Sequence, residues 1–259
     1  MREALWAELL KLRRSRLPWL SVLAFTVAAA VCGLFMFILA DPQRARAFGL
    51  IGDKAQLSGA EADWPGYLAL LAQAVGVGGL LIYGLIAIWL FGREFSDRTA
   101  KDLLALPTSR TAVVTAKFAV AAAWSVLLAL WTVLLALLIG AFLHLPGASA
   151  PTLATGIVRI LLVAVMACAL TTPFALAASV GRGYLAAVGV MFAVVFCTQV
   201  IAALGYGAYF PWSVPGLYAG IAGADQDPPG ILGYLPVAAV GITGVLATAA
   251  WWQRADHNR

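Results

Sequence analysis

Ionisable side chains that could bind a partner are concentrated in residues 92–110, GREFSDRTAKDLLALPTSR, in the middle of a very apolar chain. Two acid–base pairs in this stretch are spaced four residues apart, which places each pair on one side of a helix: Asp97 with Lys101, and Arg98 with Asp102. Pro107 ends that helix, because proline lacks the N–H that a continuing helix needs. The stretch predicts a short charged helix that contacts a molecule in the aqueous phase; the alternative is a solvated loop.

Residues typical of catalysis or of metal binding do not cluster in the sequence. The two histidines, His144 and His257, are far apart, and the three cysteines form no C-x-x-C pair. The sequence contains neither an H-E-x-x-H motif nor a G-x-x-x-x-G-K-[ST] phosphate loop. We therefore predict no catalytic residue, no metal site and no cofactor bound by this chain. If the protein works against a gradient, the energy comes from another polypeptide.

The elements that position the charged stretch must be membrane-spanning helices. Of the 259 residues, 63% are hydrophobic and 11% are charged, whereas soluble domains are about 45–50% apolar and about 25% charged. The sequence predicts an all-α membrane protein, a single domain over residues 1–259 with six spans. The predicted spans are residues 17–40, 66–91, 112–143, 152–178, 184–206 and 231–252.

Two further segments flank the spans. Residues 1–16 predict an amphipathic helix that lies on the membrane surface. Residues 207–230 are too apolar for a free loop and too short to cross, which predicts a re-entrant or interfacial hairpin on the outer side. Thirteen Lys and Arg residues fall on the side of the termini and four on the other side or within a span. This asymmetry predicts that both termini and residues 92–110 are cytoplasmic.

A few polar residues lie at membrane depth. Their default role is to form hydrogen bonds between helices, and the other interpretation is that they line a substrate path. Arg159 either extends to the lipid headgroups or contacts an acidic group of a substrate. The candidate path residues are Gln73, Arg159, Thr171, Thr172 and Gln199.

Three stretches carry a resemblance to a known family. Residues 8–15, ELLKLRRS, have an E-x-x-K-x-x-R character, and residues 211–215 read PWSVP between the last two spans. Residues 94–110 are similar to the pattern E-x-x-x-G-T-x-x-x-L-L-x-x-P-x-S-R, except that Arg98 stands where glycine is common. The conformation of the turn before Thr99 is therefore not fixed by the resemblance. With the six spans, these stretches resemble the permease subunits of ABC-2-type (type V) ABC exporters, most closely the compact branch associated with bacitracin and lantibiotic self-protection.

The resemblance implies a half-transporter in a bacterial cytoplasmic (inner) membrane. Two permeases, identical or homologous, would face each other in the lipid bilayer, and each would seat a cytoplasmic coupling helix over residues 92–110 in a separate ATP-binding subunit. Two copies of that subunit would carry ATP and Mg²⁺, and no nucleic acid is implied. The implied docking residues are Glu94, Phe95, Asp97, Arg98, Thr99, Lys101, Asp102, Leu103, Leu106 and Arg110. The implied outer gate contains Pro211, Trp212 and Pro215.

The function predicted on this basis is the ATP-driven export of a hydrophobic or peptide-like compound by alternating access. The alternatives are a non-transporting membrane sensor or assembly partner and, third, an integral-membrane enzyme. One sharper hypothesis follows from the two i,i+4 pairs and the apolar face of residues 92–110: charge reversal at Glu94 and Asp102 uncouples or detaches the ATP-binding subunit and leaves the permease folded.

Overall fold

Apolar helices dominate the computed structural model, which describes residues 1–50, 61–99, 108–221 and 230–254. These residues contain no β-strand. The helices, in chain order, are α1 (Arg2–Arg14), α2 (Leu17–Ala40), α3 (Pro42–Ala47), α4 (Trp64–Ala74), α5 (Leu80–Ser96), α6 (Arg110–Phe142), α7 (Ala150–Ala169), α8 (Thr172–Val180), α9 (Tyr184–Ala203), α10 (Val214–Tyr218) and α11 (Ile231–Arg254).

Within the described residues, six helical stretches are long and apolar enough to cross a membrane, which confirms the all-α, six-span fold. Spans 1 to 6 are Leu17–Ala40, Trp64–Ser96, Arg110–Phe142, Ala150–Val180, Tyr184–Ala203 and Gly233–Arg254. Span 1 covers the same residues as predicted. Span 2 continues through Ser96, five residues beyond its predicted end at 91. Its last turn therefore carries charged residues that the sequence assigned to a separate coupling helix.

Short polar side chains fix where spans 2, 3 and 4 begin. The side chains of Asp63, Ser109 and Ser149 each accept a hydrogen bond from a backbone N–H of the first helical turn. Such caps satisfy N–H groups that have no partner inside the helix, and proline follows in the first turn of spans 2 and 4. The aqueous ends of these spans are thus encoded locally.

Two spans are irregular within their length. In span 2, a π-helical turn over Val75–Gly79 joins α4 to α5. In span 4, α7 ends at Ala169 and α8 begins at Thr172, immediately before Pro173. Proline lacks the N–H that would bond to the carbonyl of residue 169, and its ring collides with that carbonyl. The proline therefore divides span 4 into two helices.

The N-terminal helix α1 turns Glu8 inward, whereas its charged residues nearer the ends are exposed: Arg2, Glu3, Arg13 and Arg14. Glu8 and Leu12 are buried, whereas Leu5, Trp6 and Leu9 are exposed. This arrangement is the reverse of that of a helix on a water-soluble protein, and it leaves an apolar face of the kind that an interfacial helix inserts among lipid headgroups. Placement of α1 at the membrane surface remains a prediction.

The segment between spans 5 and 6 folds back onto the helices. Two 3₁₀ turns, Gly207–Tyr209 and Pro211–Ser213, lead into α10, and the Ser213 hydroxyl donates to the carbonyls of Gly207 and Phe210. Val214, Pro215 and Ala219 have no significant exposure. This part of the segment is packed on protein, as irregular backbone near a membrane requires. Residues 222–229 of the predicted hairpin lie outside the described part of the chain.

Candidate functional site

Span 2 ends in a tight turn at the start of the predicted docking stretch. Arg98 has φ of 59°, in the left-handed region that glycine occupies most easily. The Arg98 N–H donates to the carbonyl of Phe95 (3.2 Å) and the Thr99 N–H to that of Glu94 (2.9 Å). This is a Schellman motif, in which two last-turn carbonyls gain partners. Helix α5 therefore ends just before Arg98, inside the stretch 92–110 that was predicted as one helix. At the position where the family commonly has glycine, Arg98 itself adopts the left-handed conformation.

Four charged side chains form a buried cluster directly beneath this turn. Lys117 Nζ on α6 donates to Glu8 Oε2 (3.0 Å), Glu94 Oε1 (2.9 Å) and the carbonyl of Leu90 (2.8 Å). Lys11 Nζ on α1 donates to Glu8 Oε1 (2.8 Å) and Glu94 Oε1 (2.7 Å). Lys117 is 0% exposed, and Glu8 and Glu94 are each 2% exposed. We refer to Glu8, Lys11, Glu94 and Lys117 as the charge cluster.

The balance of opposite charges in the charge cluster explains how these charged groups can be buried between the helices. Two carboxylates face two ammonium groups, so the cluster is neutral, and each member has more than one polar partner. Burial lowers the pKa of Lys11, but the charges of Glu8 and Glu94 and their hydrogen bonds outweigh it, so the pKa of Lys11 is raised. Lys11 therefore stays protonated at physiological pH.

The docking stretch is attached to the charge cluster through Thr99. Its hydroxyl donates to Glu94 Oε2 at 2.7 Å, on the carboxylate oxygen that the lysines leave free. Glu94 is thus fully engaged inside the protein and offers no surface for a partner in this conformation. The hypothesis that charge reversal at Glu94 leaves the permease folded needs correction, because reversal would bury an excess positive charge.

The remaining docking residues are arranged unequally. Asp97, Arg98 and Thr99 are exposed, and Asp97 pairs with Arg93 (3.0 Å) one turn earlier. Phe95 is half-buried and its ring lies 5.9 and 5.7 Å from the rings of Trp251 and Trp252, at the end of span 6. Four predicted docking residues lie outside the described part of the chain: Lys101, Asp102, Leu103 and Leu106.

The far end of the docking stretch is attached to span 6. Arg110, the first residue of α6, donates from Nη1 to the carbonyls of Trp252 (3.1 Å) and Gln253 (3.2 Å). Those carbonyls lie in the last turn of α11, where carbonyls lack helical partners and a cation is favoured. Residues 97–109 are therefore anchored at one end to the charge cluster and at the other end to span 6.

The candidate path residues do not converge on a single cavity. Thr171 and Thr172 line a groove of about 750 Å³ between spans 3, 4 and 6, and Gln199 lines a cavity of about 170 Å³ beside α10. Arg159 lines a separate pocket of about 410 Å³. Gln73 donates to the carbonyl of Gly220 (3.2 Å). Gly220 lies in the turn that follows α10, so this bond joins span 2 to a turn rather than to another helix.

Two other segments of the chain form hydrogen bonds with the residues at the break in span 4. The indole N–H of Trp212, a predicted gate residue, donates to the carbonyl of Leu170 (3.1 Å), which the break leaves without a helical partner. The Thr172 hydroxyl lies 3.0 Å from the carbonyl of Gly241 on span 6. Of the other gate residues, Pro211 begins a 3₁₀ turn, and the carbonyl of Pro215 lies close to Gly76 in the π-helical turn of span 2.

Sequence reasoning missed the role of three members of the charge cluster. In the sequence, Glu8 and Lys11 belong to a short motif, and Lys117 lies inside the predicted span 112–143 with no assigned partner. Their partners are up to 109 residues away in the sequence, so no local pattern pairs them. The available signal was the isolation of Lys117 in an otherwise uncharged stretch after Arg110, because a lone charge there needs a partner.

Comparison with known proteins places the chain among membrane transport proteins. A family model described as ABC-2 family transporter protein matches residues 4–198. The chain is similar to the bacitracin transport permease protein BCRB of Bacillus licheniformis, with 26% identity over 180 residues that cover 69% of this chain and 85% of the relative. The matched range 4–198 includes all four residues of the charge cluster.

Proposed function

The chain belongs to the ABC-2 family of transporter proteins as a transmembrane permease of an ABC transporter, and we propose that it exports a hydrophobic or peptide-like compound with energy from a separate ATP-binding subunit. The relative's name refers to bacitracin transport, so peptide antibiotics are the first substrates to test. The same proposal includes two permeases per transporter, two ATP-binding subunits carrying ATP and Mg²⁺, and a bacterial cytoplasmic membrane with both termini on the cytoplasmic side.

The observation that carries the proposal is the anchoring of residues 97–109 at both ends. The charge cluster connects one end to α1, span 2 and span 3, and Arg110 connects the other end to span 6. A partner that pulls on the exposed residues Asp97 to Thr99 would therefore move four helical elements rather than one loop. Such an attachment suits a segment that transmits force from an ATP-binding subunit.

Further contacts support a movement that extends toward the opposite end of the bundle. The Trp252 indole at the end of span 6 donates to the Ser179 hydroxyl in α8 (3.0 Å), and Thr172 at the start of α8 bonds to Gly241. Span 6 and α8 are thus joined by hydrogen bonds near both ends of α8. We propose that they tilt together about the break at Leu170 and Thr171, and that Trp212 moves with this break, which would alternate access between the two sides.

The docking test uses Asp97, which is exposed, and Asp102, which lies outside the described residues; neither is a member of the charge cluster. Asp97→Lys combined with Asp102→Lys is expected to reduce capture of the ATP-binding subunit by the detergent-solubilised permease, and substrate-stimulated ATP turnover with it. Arg46→Glu on α3, an exposed charge beyond the opposite end of span 1, is the matched control and should have no effect. Thermal unfolding of each permease variant alone checks that the variants fold.

Three results distinguish the functions. Loss of capture and of turnover in the double variant supports docking through this stretch. Normal capture and turnover in that variant would exclude it. If the ATP-binding subunit is captured but no peptide accumulates in inverted vesicles with ATP, the protein is a sensor or assembly partner rather than an exporter.

A further inference from the structure

Arg159 is a charge at membrane depth that the charge cluster does not explain. It lies nine residues after the first residue of α7, roughly 13 Å along the helix axis. Among the described residues it forms no salt bridge and no hydrogen bond to another side chain. An unpaired arginine inside a bilayer is costly, so it needs an anionic partner or access to water.

The surroundings of Arg159 offer further hydrogen-bond donors. Together with Arg159, the pocket of about 410 Å³ is lined by Ala154, Thr155 and Val158 of α7 and by Tyr218 at the end of α10. Thr155 stands four residues before Arg159, on the same side of the helix, and the Tyr218 ring is held edge-on against Tyr234 with centroids 6.0 Å apart. A planar guanidinium with two neighbouring hydroxyls is suited to a phosphate group.

An apolar surface continues from this pocket along span 4. Val158, Leu162 and Val165 are spaced i, i+4, i+7 and are 52%, 44% and 56% exposed. Val165 also lines the groove of about 750 Å³ between spans 3, 4 and 6. We call these three residues the apolar stripe. A ligand in contact with both features would have an anionic group at one end and a hydrocarbon chain at the other.

We propose that the Arg159 pocket binds the phosphate group of an anionic lipid whose acyl chain lies along the apolar stripe. The charge of Arg159 selects the anionic headgroup, and the depth of the pocket selects a molecule that approaches from the bilayer. The inference does not rest on the proposed transport function, because lipid binding needs neither ATP nor a partner subunit.

Native mass spectrometry of the whole detergent-solubilised chain, titrated with phosphatidylglycerol or phosphatidylcholine, tests this site. We expect phosphatidylglycerol to bind in preference. Arg159→Gln should weaken its binding roughly ten- to a hundredfold, since a hydrogen-bonded charge pair is lost. Arg159→Lys should weaken it several-fold, because lysine keeps the charge but not the bidentate geometry. Arg46→Gln, an exposed arginine near the start of the first loop, is the matched control and should bind as the unchanged protein does.

Further arms test the source of the phosphate. Leu162→Gln should weaken the binding of phosphatidylglycerol without changing any effect of inorganic phosphate, because only the lipid reaches the apolar stripe. Unchanged binding in Arg159→Gln overturns the site. Equal binding by the lysine and arginine forms would indicate general charge attraction and also overturns it. Displacement of the lipid by inorganic phosphate at equal concentration would show that the pocket takes a free anion instead.

Discussion

Removal of Lys117 is the most direct test of the charge cluster. Lys117→Met keeps an unbranched chain of similar volume but deletes three hydrogen bonds and leaves two buried carboxylates facing Lys11 alone. Breaking a buried ion pair by removing one partner costs about 3–5 kcal/mol. For a chain of this length about 1 kcal/mol shifts Tm by roughly 2–4 °C, so we expect Tm to fall by roughly 6–20 °C.

A second substitution shows whether the loss comes from unbalanced charge. Glu8→Gln added to Lys117→Met makes the cluster neutral again and keeps the pair between Lys11 and Glu94, so the double variant should be more stable than the sum of the two losses predicts. Neighbouring charged residues typically couple by about 0.5–3 kcal/mol. Strictly additive losses would contradict a shared cluster.

The measurement is thermal unfolding in one detergent, followed by the fluorescence of the nine tryptophans. Arg46→Met, which deletes an exposed cation on α3, controls for the loss of a positive charge as such. A fall of less than about 2 °C for Lys117→Met would mean that the buried pairs contribute little, against the magnitude expected for a buried ion pair.

Two substitutions that involve glycine should change Tm in opposite directions. Arg98→Gly should raise Tm by roughly 1–4 °C, because the left-handed conformation of Arg98 costs a non-glycine residue about 1–2 kcal/mol. Part of this gain is lost, because glycine makes the unfolded chain more flexible. Arg98→Ala, which removes the same side chain, should not raise Tm, and equal shifts for the two variants would refute the strain argument. Gly244→Ala should lower Tm by roughly 2–12 °C through overpacking, since its Cβ would overlap the Thr172 hydroxyl and lie 2.9 Å from the backbone N of Pro173. Gly189→Ala is the control with nothing within 4 Å, and similar losses at both glycines would contradict the packing explanation.

Hydropathy and local stereochemistry were sufficient to predict the spans. The bounds of span 1 follow from its uninterrupted apolar run, and the break in span 4 follows from Pro173, because both depend on residues close in the sequence. The end of span 2 was less predictable. Gly92, Arg93 and Glu94 suggested a polar loop, whereas the helix continues because Glu94 finds its partners inside the protein. A charged residue ends a span only where no partner is available.

The docking role of residues 92–110 stays a prediction, and the chemistry around Glu94 was not predictable. The sequence assigned Glu94 to a surface that contacts a partner. The structure makes Glu94 an internal residue because Lys11 and Lys117 come from two other helices, and that convergence has no sequence signature. Asp97 pairs with Arg93, one turn earlier, and its predicted partner Lys101 lies outside the described residues.

The charge cluster also decides where this permease can bend. Separating Lys117 from Glu8 and Glu94 would expose unpaired charges to a poorly solvating interior, which costs several kcal/mol. Movement that keeps these pairs intact must carry α1, the end of span 2 and the beginning of span 3 as one body. Bending is easier where helical hydrogen bonding is already irregular, as at the π-helical turn Val75–Gly79 and at the break before Pro173. Both lie toward the segment that joins spans 5 and 6, with Pro215 packed on the first and Trp212 bonded at the second. We therefore expect that a displacement starting at the exposed residues Asp97 to Thr99 passes rigidly through the charged end of the bundle and bends the helices beside this segment.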